Sequence, residues 1–269
     1  MTAPLVIRAS TLSAYADCPR RAAARSFRAL VESAGFKLRD VPPSVGAVVG
    51  TAFHAATAYT KRAKMATGNL GNANEAEQAA VQSLEESAAP GVVWDKTTGT
   101  LGEGRHQLTR MIATYRANAA QLLMPTAVEQ RLMARSGEFI LSGQADECEN
   151  DAIEDDKTGT RQRANGPQYG AYSLLRRSHG HPVKTATEIY TPRVRADKEQ
   201  PPPLFTPYPV ERCEQAAVRL MNRVAEDVAK FKETREPWSF VANPMSVLCG
   251  DRWCPAWGTT FCREHKGAT

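Results

Sequence analysis

The residues best equipped for chemistry lie between Ser142 and Tyr172, in SGQADECENDAIEDDKTGTRQRANGPQYGAY. Asp146 stands where an apolar run (Phe139, Ile140, Leu141) turns polar; Asp155 and Lys157 follow, one residue apart. Read as two antiparallel strands and then a helix, this stretch sets two carboxylates and a lysine close together at a sheet edge. Such a set suits metal-dependent phosphodiester hydrolysis. Carboxylate oxygens hold hard cations, the cation polarises a phosphate and acidifies a water, and an ammonium orients that water or offsets charge growing on the phosphate. The spacing alone describes a solvated acidic hairpin equally well. Gln168 and Tyr172, four apart on the following helix, share a face. Together they can hold a phosphate or a base; otherwise Tyr172 packs in the core and Gln168 faces water.

A second cluster sits near the C-terminus. Of six cysteines, Cys249, Cys254 and Cys262 crowd into LCGDRWCPAWGTTFC. Three thiolates in a short loop suit zinc or an iron–sulfur cluster, and both usually take four ligands. Cys18, followed by proline as Cys254 is, is the best fourth ligand; His265 is a fallback that favours zinc. Cys148, beside the acidic pair, and Cys213, in a helical pattern, read as structural. His54, four residues after Gly50, is either an ordinary core or surface histidine or a ligand brought in by close helix approach.

The elements that must position these groups follow from periodicity and breakers. Helical patterns cover 9–33 with a break at Cys18-Pro19, then 44–65, where small residues (Gly46, Gly50, Ala52, Ala55, Ala56) invite close packing, then 74–88 and 101–124, closed by Pro125. Strands are expected over 127–135, 137–149 and 152–157, a helix over 167–177, a strand over 184–194, a Pro-rich excursion over 195–209 and a helix over 211–233. This order predicts an α/β domain with a helical N-terminal elaboration. Three regions are expected: helical residues 1–125, a core over 126–234, and a cysteine-rich tail over 235–269.

Length and composition agree with one large domain: 269 residues, 42% hydrophobic, 23% charged. No apolar run reaches transmembrane length, and the N-terminus lacks a basic start followed by an apolar stretch. The expected compartment is cytoplasmic, where six cysteines do not form a disulfide framework. A net charge of +5 permits a polyanionic partner without requiring one.

The pieces in their order resemble the PD-(D/E)XK nuclease superfamily, and within it the RecB-like, Cas-four-like exonucleases that carry an iron–sulfur cluster. The residues behind the resemblance are S-x-L-x-x-Y-x-x-C-P (Ser10 to Pro19), G-x-x-x-H (Gly50, His54), G-x-x-D (Gly143, Asp146), D-x-K-T-G (Asp155 to Gly159), Q-x-x-x-Y (Gln168, Tyr172) and the C-terminal cysteines. The resemblance implies a restriction-endonuclease-like core, a central mixed β-sheet flanked by helices, and a Mg²⁺- or Mn²⁺-dependent DNA exonuclease. In that reading Asp146 and Asp155 are metal ligands, His54 is a further ligand or orients one, and the main-chain carbonyl of Asp156 completes the shell, its side chain being dispensable. Lys157 positions the attacking water, and Gln168 and Tyr172 contact DNA or buttress the site. Cys18, Cys249, Cys254 and Cys262 bind a 4Fe–4S cluster. The cysteine spacing is wider than the family's usual pattern, and zinc stays as the alternative.

The implied substrate is single-stranded DNA or DNA ends, with Trp253, Trp257 and Phe261 stacking bases or covering the cluster, and Arg161, Arg163, Arg176 and Arg177 tracking the backbone. The implied setting is recombination, repair, phage DNA metabolism or CRISPR adaptation, with a helicase, integrase or recombinase as a possible partner. The competing expectation is a non-catalytic DNA-binding or assembly subunit.

Overall fold

The computed structural model describes residues 4–137 and 139–263; His265 lies outside them. Strand β1 (Leu5–Arg8) leads into helices α1 (Ala9–Asp17), α2 (Pro19–Ser26) and α3 (Arg28–Ser33). The break between α1 and α2 is local chemistry. Proline disfavours helical backbone in the residue before it, so Cys18 is extended (φ −152°), and Pro19 then opens the next helix, where no N–H is needed.

Helix α4 (Val45–Thr67) starts on a Ser44 side-chain cap and ends at left-handed Gly68. Helix α5 (Ala73–Ala88) follows, and then α6 (Leu101–Asn118), whose Thr100 cap accepts from the Glu103 N–H at 3.1 Å. Helix α6 stops six residues short of the expected 124. The Ala119 and Ala120 N–H groups both turn onto the Tyr115 carbonyl, and Lys64 Nζ donates to the carbonyls of Ala120 and Gln121.

Strands β2 (Ala127–Ser136), β3 (Phe139–Glu149) and β4 (Ala152–Gly159) follow, then helix α7 (Gly166–Ser178), β5 (Thr185–Pro192), β6 (Leu204–Tyr208), helix α8 (Val210–Thr234) and a 3₁₀ turn at Pro237–Ser239. Two strands were not expected. β1 is four residues long and merges directly into a helix. β6 lies inside the Pro-rich excursion and contains Pro207; an edge strand tolerates a residue with no N–H.

The sheet runs β1-β3-β4-β5-β6, with β2 also on β3. β2 pairs antiparallel along nearly the whole of β3, from Ala127↔Cys148 to Ser136↔Phe139. β1 and β4 therefore share the opposite edge of β3, one at each end. β1 pairs parallel over Phe139–Ser142, and β4 antiparallel only at Glu147↔Glu154, Cys148↔Ile153 and Glu149↔Ala152. Beyond that point β4 leaves β3 and runs parallel to β5. The edge of β3 from Gly143 to Asp146 is left open between two diverging strands.

Two apolar bodies sandwich the sheet. One gathers α1, α2, α7, α8 and the tail around Leu12, Tyr15, Leu175 and Phe231; the other gathers α4, α5 and α6 around Phe53, Leu84 and Met111. This is the mixed α/β architecture with flanking helices that the sequence predicts. Among the described residues no helix is long and apolar enough to cross a membrane.

The tail folds back on the N-terminus. Arg20 Nε donates to the Phe240 carbonyl (2.9 Å), Arg25 to the Trp253 carbonyl (2.8 Å), and Asn243 Nδ2 to the Asp17 carbonyl (2.9 Å). Phe36, Phe231, Phe240 and Phe261 form one aromatic cluster behind these contacts.

Helices α7 and α8 meet backbone to backbone. A Cβ on Gly170 would lie 2.0 Å from the Cys213 carbonyl oxygen, a contact no side-chain rearrangement relieves. Gly170→Ala is expected to cost about 1–3 kcal/mol or more, the usual range for overpacking, read as a lowered urea midpoint.

Candidate active site

Asp146 sits on β3 at the open edge, and its side chain bridges the gap that the diverging strand leaves. The Asp156 N–H donates to Asp146 Oδ2 at 2.9 Å, while Asp146 Oδ1 lies 3.2 Å from His54 Nδ1 on α4. Gly50, one turn before His54, permits this approach: a Cβ there would stand 3.2 Å from Thr158 Oγ1 on β4. With Nδ1–H directed at Asp146, His54 keeps Nε2 as its lone-pair nitrogen.

Asp155 and Lys157 lie two apart on β4 and so share a face. Lys157 Nζ donates to Asp155 Oδ2 and lies 3.5 Å from the Asp156 carbonyl. Asp155 is almost wholly buried, and its Oδ1 has no hydrogen-bond partner. Burial, reinforced by the Asp146 charge and opposed by Lys157, pushes its pKa up to about 7. Asp146 moves the other way. Burial raises it, but His54, Lys157 and Lys61 outweigh burial and hold it well below the carboxylate range. For His54, burial is outweighed by the Asp146 carboxylate and the net shift is upward; for Lys157, Asp155 and Asp146 outweigh burial in the same way. Two neighbouring carboxylates with opposite shifts mark a site with more buried negative charge than its own cations neutralise.

His54, Asp146 and Asp156 each offer a ligand atom within 4.8 Å of the others. Asp155, next to Asp156 on β4, keeps a buried oxygen without a partner. An oxygen-rich set with one imidazole fits a hard divalent cation such as Mg²⁺ or Mn²⁺.

Gln168 and Tyr172 are both buried, and Gln168 Nε2 donates to the Tyr172 hydroxyl at 2.7 Å. The Tyr172 ring lies against Gly143, where a Cβ would stand 2.9 Å from it. The pair seats α7 on the open edge. Tyr172 also lines a groove of about 240 Å³ with Arg8, Ser10, Arg131, Gly143 and Gln144, which opens from the gap between β1 and β4. A wider groove of about 720 Å³ passes His54 on the other side, lined by Tyr59, Arg62 and Glu129.

A family model for the PD-(D/E)XK nuclease superfamily matches residues 7–260. The chain belongs to this superfamily. Among solved structures, that of a protein from Eubacterium rectale named "putative exonuclease" superposes with a TM-score of 0.60 at 9% identity, covering 91% of this chain and 86% of that one. At that identity the likeness is one of fold. A second structure, SSO0001, covers 78% of this chain and 87% of its own at 13% identity, with a TM-score of 0.30. No curated protein matches the sequence.

Several residues of this nuclease-superfamily chain differ from expectation. The Asp156 side chain, expected to take no part in the metal shell, has an environment of its own. It is fully buried and takes Lys61 Nζ at 2.8 Å and the Tyr115 hydroxyl at 3.5 Å. Phe261 is wholly buried in the aromatic cluster, so it is not placed to stack bases, whereas Trp253 and Trp257 are partly exposed. Arg176 is buried on the Asn150 carbonyl (2.6 Å), whereas Arg161, Arg163 and Arg177 are exposed, Arg177 paired with Glu214.

Lys61 and Glu188 were missed. Lys61 stands seven residues after His54, two turns on along one helix face, and that spacing was the available signal. Glu188 pairs in register with Asp155 and is gripped by Gln162 (2.9 Å), Asn165 (3.0 Å) and Tyr169. A lone glutamate inside the strand TATEIYTP was its signal.

Cys18 precedes Cys249, Cys254 and Cys262 by 231 residues or more, yet the four line one small cavity, with Arg20 and Arg21 in its wall. All but Cys249 are buried. Burial and the neighbouring thiols push the Cys249 and Cys254 pKa values up. Cys148 and Cys213 are buried elsewhere.

The raised Asp155 pKa sets a sign for stability. Between about 4 and about 7 the folded chain binds the Asp155 proton that the unfolded chain has lost, so this residue makes stability fall as pH rises. His54 adds to the fall above about 6.5, while Asp146 contributes stability lost only on acidification. In chelator-treated protein, Asp155→Asn is expected to flatten the decline in melting temperature between pH 5 and pH 7.

Proposed function

We propose that this chain is a divalent-metal-dependent DNA exonuclease acting on single strands or free ends in the cytoplasm, its N-terminal helices (1–125), core (126–234) and tail (235–269) working as one unit. The observation that carries the reading is the buried, unpartnered Asp155 oxygen beside Asp146 and Lys157 at the open edge of β3. When bound, a divalent cation supplies Lewis-acid polarisation of the scissile phosphate and acidifies a water. Asp146 and Asp155 hold that cation, with His54 Nε2 or the Asp156 carbonyl completing its ligands. His54 Nδ1 fixes the Asp146 rotamer, and Lys157 Nζ orients the attacking water. As water oxygen bonds to phosphorus and the P–O bond to the leaving nucleotide breaks, the Lys157 ammonium offsets the growing negative charge. Gln168 and Tyr172 buttress the site rather than read DNA. Arg8 and Arg131 in the groove beside Tyr172 suit a phosphate backbone.

The test is degradation of end-labelled linear DNA by anaerobically prepared protein with Mn²⁺. Wild type is expected to degrade linear strands and spare closed circles. Lys157→Ala is expected to lose on the order of 10²–10³ in rate, the usual cost of removing one charge-stabilising donor. If wild type is inert on linear, circular and duplex DNA alike, the chain is instead a binding or assembly subunit that works with a helicase, integrase or recombinase.

We also propose a 4Fe–4S cluster on Cys18, Cys249, Cys254 and Cys262, supported by four cysteines converging on one cavity with two arginines in its wall. Such a cluster ties the tail to the α1–α2 junction and carries no step of hydrolysis. Anaerobic protein is expected to contain iron and acid-labile sulfide, and Cys254→Ser to lose both and melt at lower temperature. Zinc without iron in the wild type rejects the cluster.

A further inference from the structure

The β3–β4 hairpin carries acids on both of its faces. Side chains alternate along a strand, so Glu147 and Glu154 point to the face opposite Asp146 and Asp155, the face that Asp156 shares, with Lys61 bridging Glu147 and Asp156. They form a cross-strand pair. Glu147, Glu149 and Glu154 each place a carboxylate oxygen within 4.8 Å of the others.

Like charges directly opposite one another destabilise a strand pair, and this pair is removed from water. Glu147 is completely buried, and neither of its oxygens has a hydrogen-bond partner; Glu154 Oε2 is buried without one as well. The ammonium nearby, Lys61, lies 3.1 Å from Glu147 Oε2 but is shared with Asp156 at 2.8 Å. Glu147 Oε1 and Glu154 Oε2 are therefore left buried with nothing to bind, in residues whose carboxylates converge. A buried polar group without a partner costs about 1–3 kcal/mol, and more when charged, so the arrangement calls for a cation.

We propose that Glu147, Glu149 and Glu154 form a second divalent-cation site, on the sheet face opposite Asp146 and Asp155. The donors are all carboxylate oxygens, which selects a hard ion of the Ca²⁺, Mg²⁺ or Mn²⁺ class over zinc or copper. The bound ion staples β3 to β4 one residue from Asp146 on one strand and one residue from Asp155 on the other. It holds the hairpin together at the last paired position before the strands diverge. This site is independent of the proposed nuclease activity, because its occupancy is read without substrate.

The test is isothermal titration of Ca²⁺ into chelator-stripped full-length protein carrying Asp146→Asn and Asp155→Asn, which disables the catalytic cation site. One ion per chain is expected to bind and to raise the melting temperature as its concentration rises. Adding Glu149→Gln and Glu154→Gln is expected to abolish both binding and shift. The glutamines are near-isosteric and remove buried charge, and circular dichroism checks the fold. Should the combined variant not fold, Glu149→Gln alone, at a half-exposed position, carries the comparison. If the Asp146/Asp155 variant binds no ion, or if binding survives the glutamate substitutions, the acids share protons instead and the proposal fails.

Discussion

The divergence of β3 from β4 is the constraint on which the rest of the molecule depends. Six carboxylates, those of Asp146, Glu147, Glu149, Glu154, Asp155 and Asp156, crowd onto two strands of one hairpin. Strands that stayed paired would press these charges together in a medium that screens them poorly. Parting the strands gives Asp146 a backbone N–H to hold, hands the outer edge of β4 to β5, and lets His54, Lys61 and Lys157 reach the charges from three directions. The helices on either face are set by this demand. Helix α4 brings a histidine and a lysine two turns apart, and α7 closes the open edge with Gln168 and Tyr172.

The tail answers a different problem. Short helices such as α1, α2 and α3 are marginal alone, since helix nucleation is unfavourable and little apolar area accompanies each turn. Here they are held from outside. Arginines 20 and 25 donate to carbonyls of the tail, Tyr15 donates to Asp227 on α8 at 2.6 Å, and four phenylalanines fill the space between. The cysteine cavity lies at the centre of this arrangement, where residue 18 meets residues 249 to 262. The N-terminal end of β1 joins the sheet beside β3, so the grip on the tail and the open catalytic edge belong to one continuous body.

Much of this was legible in the sequence because the signals were local. The Cys18-Pro19 break, the acidic hairpin and the Gln168–Tyr172 helix each depend on residues within a few positions of one another. What was not legible depends on partners far along the chain. β1 exists because β3 offers it an edge 130 residues later. The ion pairs of Lys61 with Asp156 and Glu147 join residues about 90 apart, and nothing near residue 156 announces them. The same holds for Phe261, whose pattern fits a base-stacking aromatic until the tail is seen to turn inward. Proline count misled at β6, where the register with β5 decided the outcome over composition.

That last strand has an effect on how the molecule behaves in company. β6 forms one margin of the sheet, five residues long, with half-exposed Leu204 and Phe205 and three consecutive prolines ahead of it. A bare margin of this kind invites a strand from another molecule. Pro207 breaks its row of amide donors, and the stiff approach through Pro201 to Pro203 limits how far pairing can extend. Proline thus does at this margin what charge or a covering helix does elsewhere: it shortens the row of backbone groups that a foreign strand could pair with.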